Sequence, residues 1–161
     1  MKGPWPLLVV RNLMQGVTME AVLVGLSREK CLRLMAGAPV GRIIYTRQAM
    51  PAVELVNFTV DAGDIVIRTS ASGKLAAAIG GAVVAFEADE YDAVTRTGWS
   101  VTAIGQAHEI TDPARIERLH SGGPRPWVPG DHPYFIGITP GMLNGRRLSR
   151  AGAPNFWPRV P

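Results

Sequence analysis

Two short runs joined by four turn residues decide most of what this chain can become. From Ala52 to Val60 the side chains alternate: Val56, Phe58 and Val60 share one face, and Val53, Leu55, Asn57 and Thr59 the other. That period of two is what an extended strand imposes. Asp61-Ala62-Gly63-Asp64 follows, turn chemistry with a glycine free to take positive φ. Ile65-Val66-Ile67-Arg68-Thr69 is then a second, β-branched run. So short a connection brings the second run back antiparallel, and the spacing predicts a hairpin. Glu54 interrupts the apolar face of the first strand, which places it near an edge or a ligand.

The same pattern of strands and short connections extends along the chain. Ser27 is an N-cap, with Leu26 and Cys31 as a hydrophobic staple, for a helix that Gly37 ends. Val40 to Tyr45 reads as a strand, Ala82 to Ala88 as another, and Asp89 to Gly98 as a polar loop. Trp99 to Ile110 is a long strand in which Gly105 marks a bulge or a close backbone contact. Asp112-Pro113 opens a helix running to about His120. Ser121 to Pro133 is a loop containing Trp127, Tyr134 to Thr139 is a further strand, and Arg146 to Leu148 can add one more. About six strands and three short helices, mostly joined by hairpin-length turns, predict a mainly β (α+β) fold, a small antiparallel barrel with short flanking helices. A doubly wound sheet would need a helix after each strand.

The 161 residues suit one domain, and 47% hydrophobic against 19% charged residues describe a folded protein. Residues 1–25 read as an N-terminal arm, the first 18 being a loose segment or one preceding a true start at Met14 or Met19. Residues 26–150 form the domain and 151–161 an extended tail. A single cysteine, Cys31, excludes an intrachain disulfide framework and fits a buried structural thiol in a reducing cytoplasm. The net charge of +4 suits a small anionic ligand. Arg146, Arg147 and Arg150 are the one basic cluster and no base-reading motif accompanies them, so nucleic acid is not expected. Nor is a membrane, since no run approaches the ~18 apolar residues needed to span one.

Beyond the hairpin, Thr69 and Ser70 lead through Ser72-Gly73-Lys74 into Leu75 to Ile79, an alanine-rich helix pattern that Gly80-Gly81 stops. A strand, a small polar loop and a helix start make an anion site: the first helical N–H groups lack partners and carry the positive end of the dipole. Two readings stand side by side, a phosphate cradle and a solvated lysine on a capped surface helix. It is not a Walker loop, since Arg68 and Leu75 occupy the positions that would need Gly and Ser or Thr. His108, His120 and His132 are too far apart, with no cysteine or carboxylate spacing, to suggest a metal site. No G-x-S-x-G elbow is present.

In order and spacing, Leu26 to Cys31, Val40-Gly41-Arg42, Pro51-Ala52-Val53 through Asn57-Phe58, Ile67-Arg68-Thr69, Ser72-Gly73-Lys74-Leu75, Val84 to Glu87 and Gly98-Trp99-Ser100-Val101 resemble the pyridoxamine 5′-phosphate oxidase-like split-barrel family. The resemblance implies a six-stranded split β-barrel and a homodimer holding FMN, or in some branches a deazaflavin coenzyme, in two sites at the subunit interface. It implies that Thr69, Ser72 and Lys74 bind the phosphate, with Arg68 and Gly73 also among the cofactor-binding residues, and that Val53, Glu54, Leu55, Val56 and Asn57 lie along the isoalloxazine ring. Trp99 and Ser100 would approach from the partner, and Trp127 from a loop. Gly73 stands where the true oxidases carry an arginine, and their basic C-terminal motif is not recognisable in Asn144 to Leu148. Both departures put oxidation of pyridoxamine phosphate itself in question. The functional expectation is an oxidoreductase acting on a small molecule; the alternative is a non-catalytic module that senses or stores a cofactor, flavin or haem.

Overall fold

In a computed structural model, described here for residues 8–12, 19–70 and 79–150, eight strands and two helices are present among the described residues. They are β1 (Leu8–Asn12), β2 (Met19–Gly25), α1 (Arg28–Gly37), β3 (Val40–Arg47), β4 (Met50–Asp61), β5 (Asp64–Thr69), β6 (Val83–Asp92), β7 (Thr97–Glu109), α2 (Pro113–Gly122) and β8 (Tyr134–Arg150). The sheet runs β1-β2-β8-β5-β4-β3-β6-β7, and β7 pairs back onto β8. Six strands therefore close into an antiparallel ring, the expected barrel. The β1–β2 hairpin is added to the outer half of β8, with Gly25 opposite Arg146. Met19–Gly25 is thus a strand of the sheet, where the sequence pattern suggested only an arm.

The Asp61–Asp64 turn joins β4 to β5 as the spacing predicts, with Phe58 opposite Ile67. Ala52, Val56, Phe58 and Val60 of β4 face the barrel interior, where the Phe58 and Phe86 rings meet edge-on with centroids 4.8 Å apart. Ile65 and Ile67 point into that core, while Val66 points the other way into a second cluster with Ile110, Leu119 and Phe135 beneath α2. Burial on both sides explains why β5 is apolar without alternation.

Local signals set the helix starts. The Ser27 side chain accepts from the Lys30 N–H, and Asp112 accepts from the Arg115 N–H at 3.1 Å, with Pro113 in the first turn. Cys31 is fully buried and Leu26 packs against the same core, as the staple predicts. Burial pushes the Cys31 thiol above its ordinary pKa.

Two expectations are corrected. The region from Asp89 to Gly98 is not a loop throughout: β6 continues to Asp92 and β7 begins at Thr97. This end of the hairpin extends past the core, so its polar side chains stay in water while the backbone still pairs. The Asp92 carboxylate accepts the N–H groups of Val94 and Thr95 and closes the turn. Second, Tyr134 to Thr139 and Arg146 to Leu148 belong to one 17-residue strand. Pro140 sits within it at the register shift opposite Gly105, where a bulge interrupts the ladder. A side chain at position 105 would collide with the Thr139 backbone, which accounts for the glycine.

Candidate functional site

The residues singled out on β4 and β5 come together. Glu54, Leu55, Val56 and Asn57 form one wall of a cleft of ≈ 440 Å³, and Arg68 and Thr69 form its floor. Arg47, from the end of β3, adds a second guanidinium, and Pro126, Val128 and His132 close it from the loop after α2. Val53 lies one residue beyond, on the outer face of β4, and is 59% exposed. Ser72, Gly73 and Lys74, with Leu75 to Ala78 of the helix pattern that follows, lie outside the described residues.

Glu54, which interrupts the apolar stripe, belongs to a strand paired on both sides, so it is not on an edge strand of the sheet. It sits at the cleft and accepts a hydrogen bond from the Tyr45 hydroxyl, which holds the Tyr45 phenol above its ordinary pKa. The carboxylate favours the protonated phenol both as hydrogen-bond acceptor and as a nearby negative charge.

Asn57 and Arg68 do more than face the cleft. Asn57 donates from Nδ2 to the Pro39 carbonyl at 3.1 Å and accepts the Trp127 backbone N–H at Oδ1, 2.9 Å away. One donor and one acceptor lone pair of the amide remain for other partners. Arg68 donates from Nε to the His132 carbonyl at 2.7 Å and lies over the Phe135 ring at 5.2 Å. These two side chains pin the loop at positions 127 and 132. His132 itself reaches the Val128 carbonyl through Nε2 at 3.1 Å. This strapping of the loop was not legible in the sequence, because its partners are backbone groups about 70 residues away.

Trp127 is 67% exposed and faces a second, smaller cleft on the far side of the loop. Trp99 and Ser100 are not brought to the first cleft within one chain. Trp99 points inward and is 4% exposed, part of the barrel core. Ser100 faces outward, where it accepts from Arg146 Nε at 3.3 Å, and both residues border a separate concavity at the β6–β7 end.

Arg115 on α2 is the polar residue that sequence reasoning missed. Its Nε lies 2.8 Å from Asp61 Oδ2, and its two terminal nitrogens are each 3.1 Å from Asp64 Oδ2. Thr139 donates to Asp64 Oδ1 at 2.8 Å. The turn carboxylates thus anchor the helix that carries the cleft loop. No group of three or more metal-ligating side chains occurs among the described residues, and no described helix is long and apolar enough to cross a membrane.

The comparisons fit this geometry. The family model described as pyridoxamine 5′-phosphate oxidase matches residues 27–147. An uncharacterized protein of Mycobacterium tuberculosis is 37% identical over 135 residues, covering 78% of this chain and 86% of that one. The structure of the FAD binding protein from Mycobacterium smegmatis is similar with a TM-score of 0.66 and 27% identity, covering 77% of this chain and 97% of that one. A FAD-binding protein from Mesorhizobium loti has the same fold, with a TM-score of 0.65 at 20% identity, covering 80% of this chain and 98% of that one. The matched span begins at the Ser27 cap and ends near the close of β8, so it takes in the whole closed ring together with both walls of the first cleft: the chain belongs to the pyridoxamine 5′-phosphate oxidase family.

Proposed function

We propose that this protein is a flavin-dependent oxidoreductase that binds FMN, or a flavin built on it, in the first cleft and acts as a homodimer on a small-molecule substrate. The observation that carries the reading is the convergence in one cleft of a strip of β4, Glu54 to Asn57, with the guanidinium groups of Arg47 and Arg68 and the Thr69 hydroxyl. A planar ring fits along such a strip, and a phosphate fits among guanidinium and hydroxyl donors. The cleft volume lies within the range of about 300–1,000 Å³ usual for small-ligand sites. The Mycobacterium smegmatis relative, a FAD binding protein, supports the same ligand class. A flavin supplies the redox chemistry when bound, and the protein supplies placement and electrostatics. Glu54, tied to Tyr45, fixes the polarity of one wall, while Asn57 and Arg68 hold the loop that limits access of water.

The homodimer rests on an apolar row across the outside of the barrel. Val53, Ile44, Ala85, Ile104 and Met142 are cross-strand neighbours on β4, β3, β6, β7 and β8. Val53, Ile104 and Met142 are 59%, 38% and 54% exposed. A continuous apolar row on an otherwise solvated sheet face is the kind of surface a second copy covers. Ser100 lies on the same outer face.

Titrating FMN and riboflavin into wild type and Lys74→Ala tests the phosphate end of the site. A charge-assisted bond contributes about 1.5–3 kcal/mol, so the substitution should weaken FMN roughly 10- to 150-fold. Riboflavin, which lacks the phosphate, should change far less. Equal FMN affinities in the two proteins would remove Lys74 from the site. The same titration with a deazaflavin coenzyme and with haem identifies the cofactor class, and tight binding without turnover of any electron donor would make the protein a storage or sensing module.

A further inference from the structure

Glu54 is a half-buried carboxylate among apolar neighbours. It stands between Ala52 and Val56, which pack against the barrel core, and its cross-strand partner on β3 is the fully buried Ile43. A charge in such a place is costly unless it is paired, yet Glu54 forms no ion pair among the described residues. Arg47 and Arg68 line the same cleft without reaching it. Its hydrogen-bond partner is the hydroxyl of Tyr45, a side chain only 4% exposed. A phenol locked in the core thus fixes where the negative charge stands in the cleft wall. We infer that Glu54 sets the reducing power of the site: its carboxylate, held by Tyr45, opposes the negative charge that a flavin ring gains on reduction and makes the reduced cofactor a stronger electron donor.

This deepens the flavin reading and rests on it for a ring lying along β4. The register spreads the three charges of the cleft along that strand. Arg47 is opposite Met50 and Glu54 opposite Ile43, while Arg68 follows Ile67, which is opposite Phe58. The carboxylate therefore lies between the two cations, at the middle of the strip that a ring would cover. The oxidised isoalloxazine is neutral, and two-electron reduction at neutral pH leaves it negative. Charge–charge energy falls with distance, so the charge nearest the ring weighs most, and a site closed to water weakens it least. The hydrogen bond from Tyr45 keeps the carboxylate from swinging to either guanidinium. Were Glu54 there only to accept from Tyr45, glutamine would serve equally well.

Anaerobic titration of oxidised and of reduced FMN into wild type, Glu54→Gln and Tyr45→Phe, with the midpoint potential read against a reference dye, tests the role. The phosphate is common to both redox states, so the ratio of the two affinities isolates the ring. Glu54→Gln keeps an acceptor for Tyr45 and removes the charge. It should move the ratio toward reduced FMN roughly 10- to 100-fold, a rise in midpoint of about 30–60 mV for a two-electron couple. Tyr45→Phe keeps the charge but frees it to turn toward water, and should give a smaller rise; it decides by the same sign if Glu54→Gln does not fold. FMN bound with a ratio unmoved by Glu54→Gln, or moved toward the oxidised form, overturns the inference and leaves the flavin reading intact. Uptake of neither FMN nor FAD overturns that reading and this inference with it.

Discussion

Arg115 of α2 and Asp64 at the start of β5 meet through both terminal guanidinium nitrogens, each 3.1 Å from one carboxylate oxygen. With Asp61 on Nε, the arginine satisfies two carboxylates that would otherwise repel each other in a half-buried turn. Arg115→Ala takes the guanidinium from both, leaving Asp64 with the Thr139 hydroxyl, and should cost about 2–4 kcal/mol of stability. Chemical denaturation checks this. A loss below about 0.5 kcal/mol would mean that the cluster is solvated and holds nothing.

Two turns are built with residues that dislike them. Ala49 and Ala62 adopt φ of 60° and 52°, and Gln48 one of 51°. The left-handed region costs a residue with a Cβ roughly 1–2 kcal/mol, and glycine's extra freedom in the unfolded chain returns about 0.5–1 of it. Ala49→Gly and Ala62→Gly should each stabilise the fold by about 0.5–1 kcal/mol, read as a raised denaturation midpoint with unchanged slope. Destabilisation by either would show that these turns are not strained.

Stability should fall on the alkaline side. The hydrogen bond to Glu54 raises the Tyr45 phenol, and burial raises the Cys31 thiol. Both groups hold their protons in the folded chain to a higher pH than in the unfolded one. Their stabilising contribution is complete below the unfolded values, about 8.5 for cysteine and about 10 for tyrosine, and is lost as pH rises through the folded ones. Urea midpoints measured from pH 8 to 11 should therefore decline. Tyr45→Phe should flatten the upper part of that decline; an identical slope in the variant would acquit Tyr45.

The apolar outer row makes a sharp oligomer prediction. Ile104→Asp or Met142→Asp places a charge at the centre of the face a second copy would cover, and either should shift sedimentation from dimer to monomer. Neither side chain is part of the barrel core, so the fold should survive. A wild-type monomer at micromolar concentration would refute the dimer.

Most of the barrel was legible because its signals are local. The alternation in β4, the Asp61–Asp64 turn, the Ser27 and Asp112 caps and the bulge at Gly105 each act within a few residues. Continuity was harder to read. Pro140 and the glycines near it break the propensity of β8, yet β7 supplies partners along nearly its whole length, and the ladder outweighs the breaks. The strand before α1 was missed because its partner, the end of β8, lies more than 120 residues away. At the site, Glu54 and Thr69 stood out by residue type and Arg68 by the family resemblance, and all three line one cleft. Nothing local could foretell that Asn57 and Arg68 spend hydrogen bonds on the backbone of a distant loop.

The central claim is that the first cleft holds a flavin, and the most direct measurement is the visible spectrum of the purified protein, with mass spectrometry of whatever acid releases from it. A bound flavin predicts absorbance bands in the near-ultraviolet and blue and a released isoalloxazine nucleotide in a stoichiometry approaching one per chain. A colourless protein that also fails to take up FMN, FAD or a deazaflavin coenzyme on titration would contradict it.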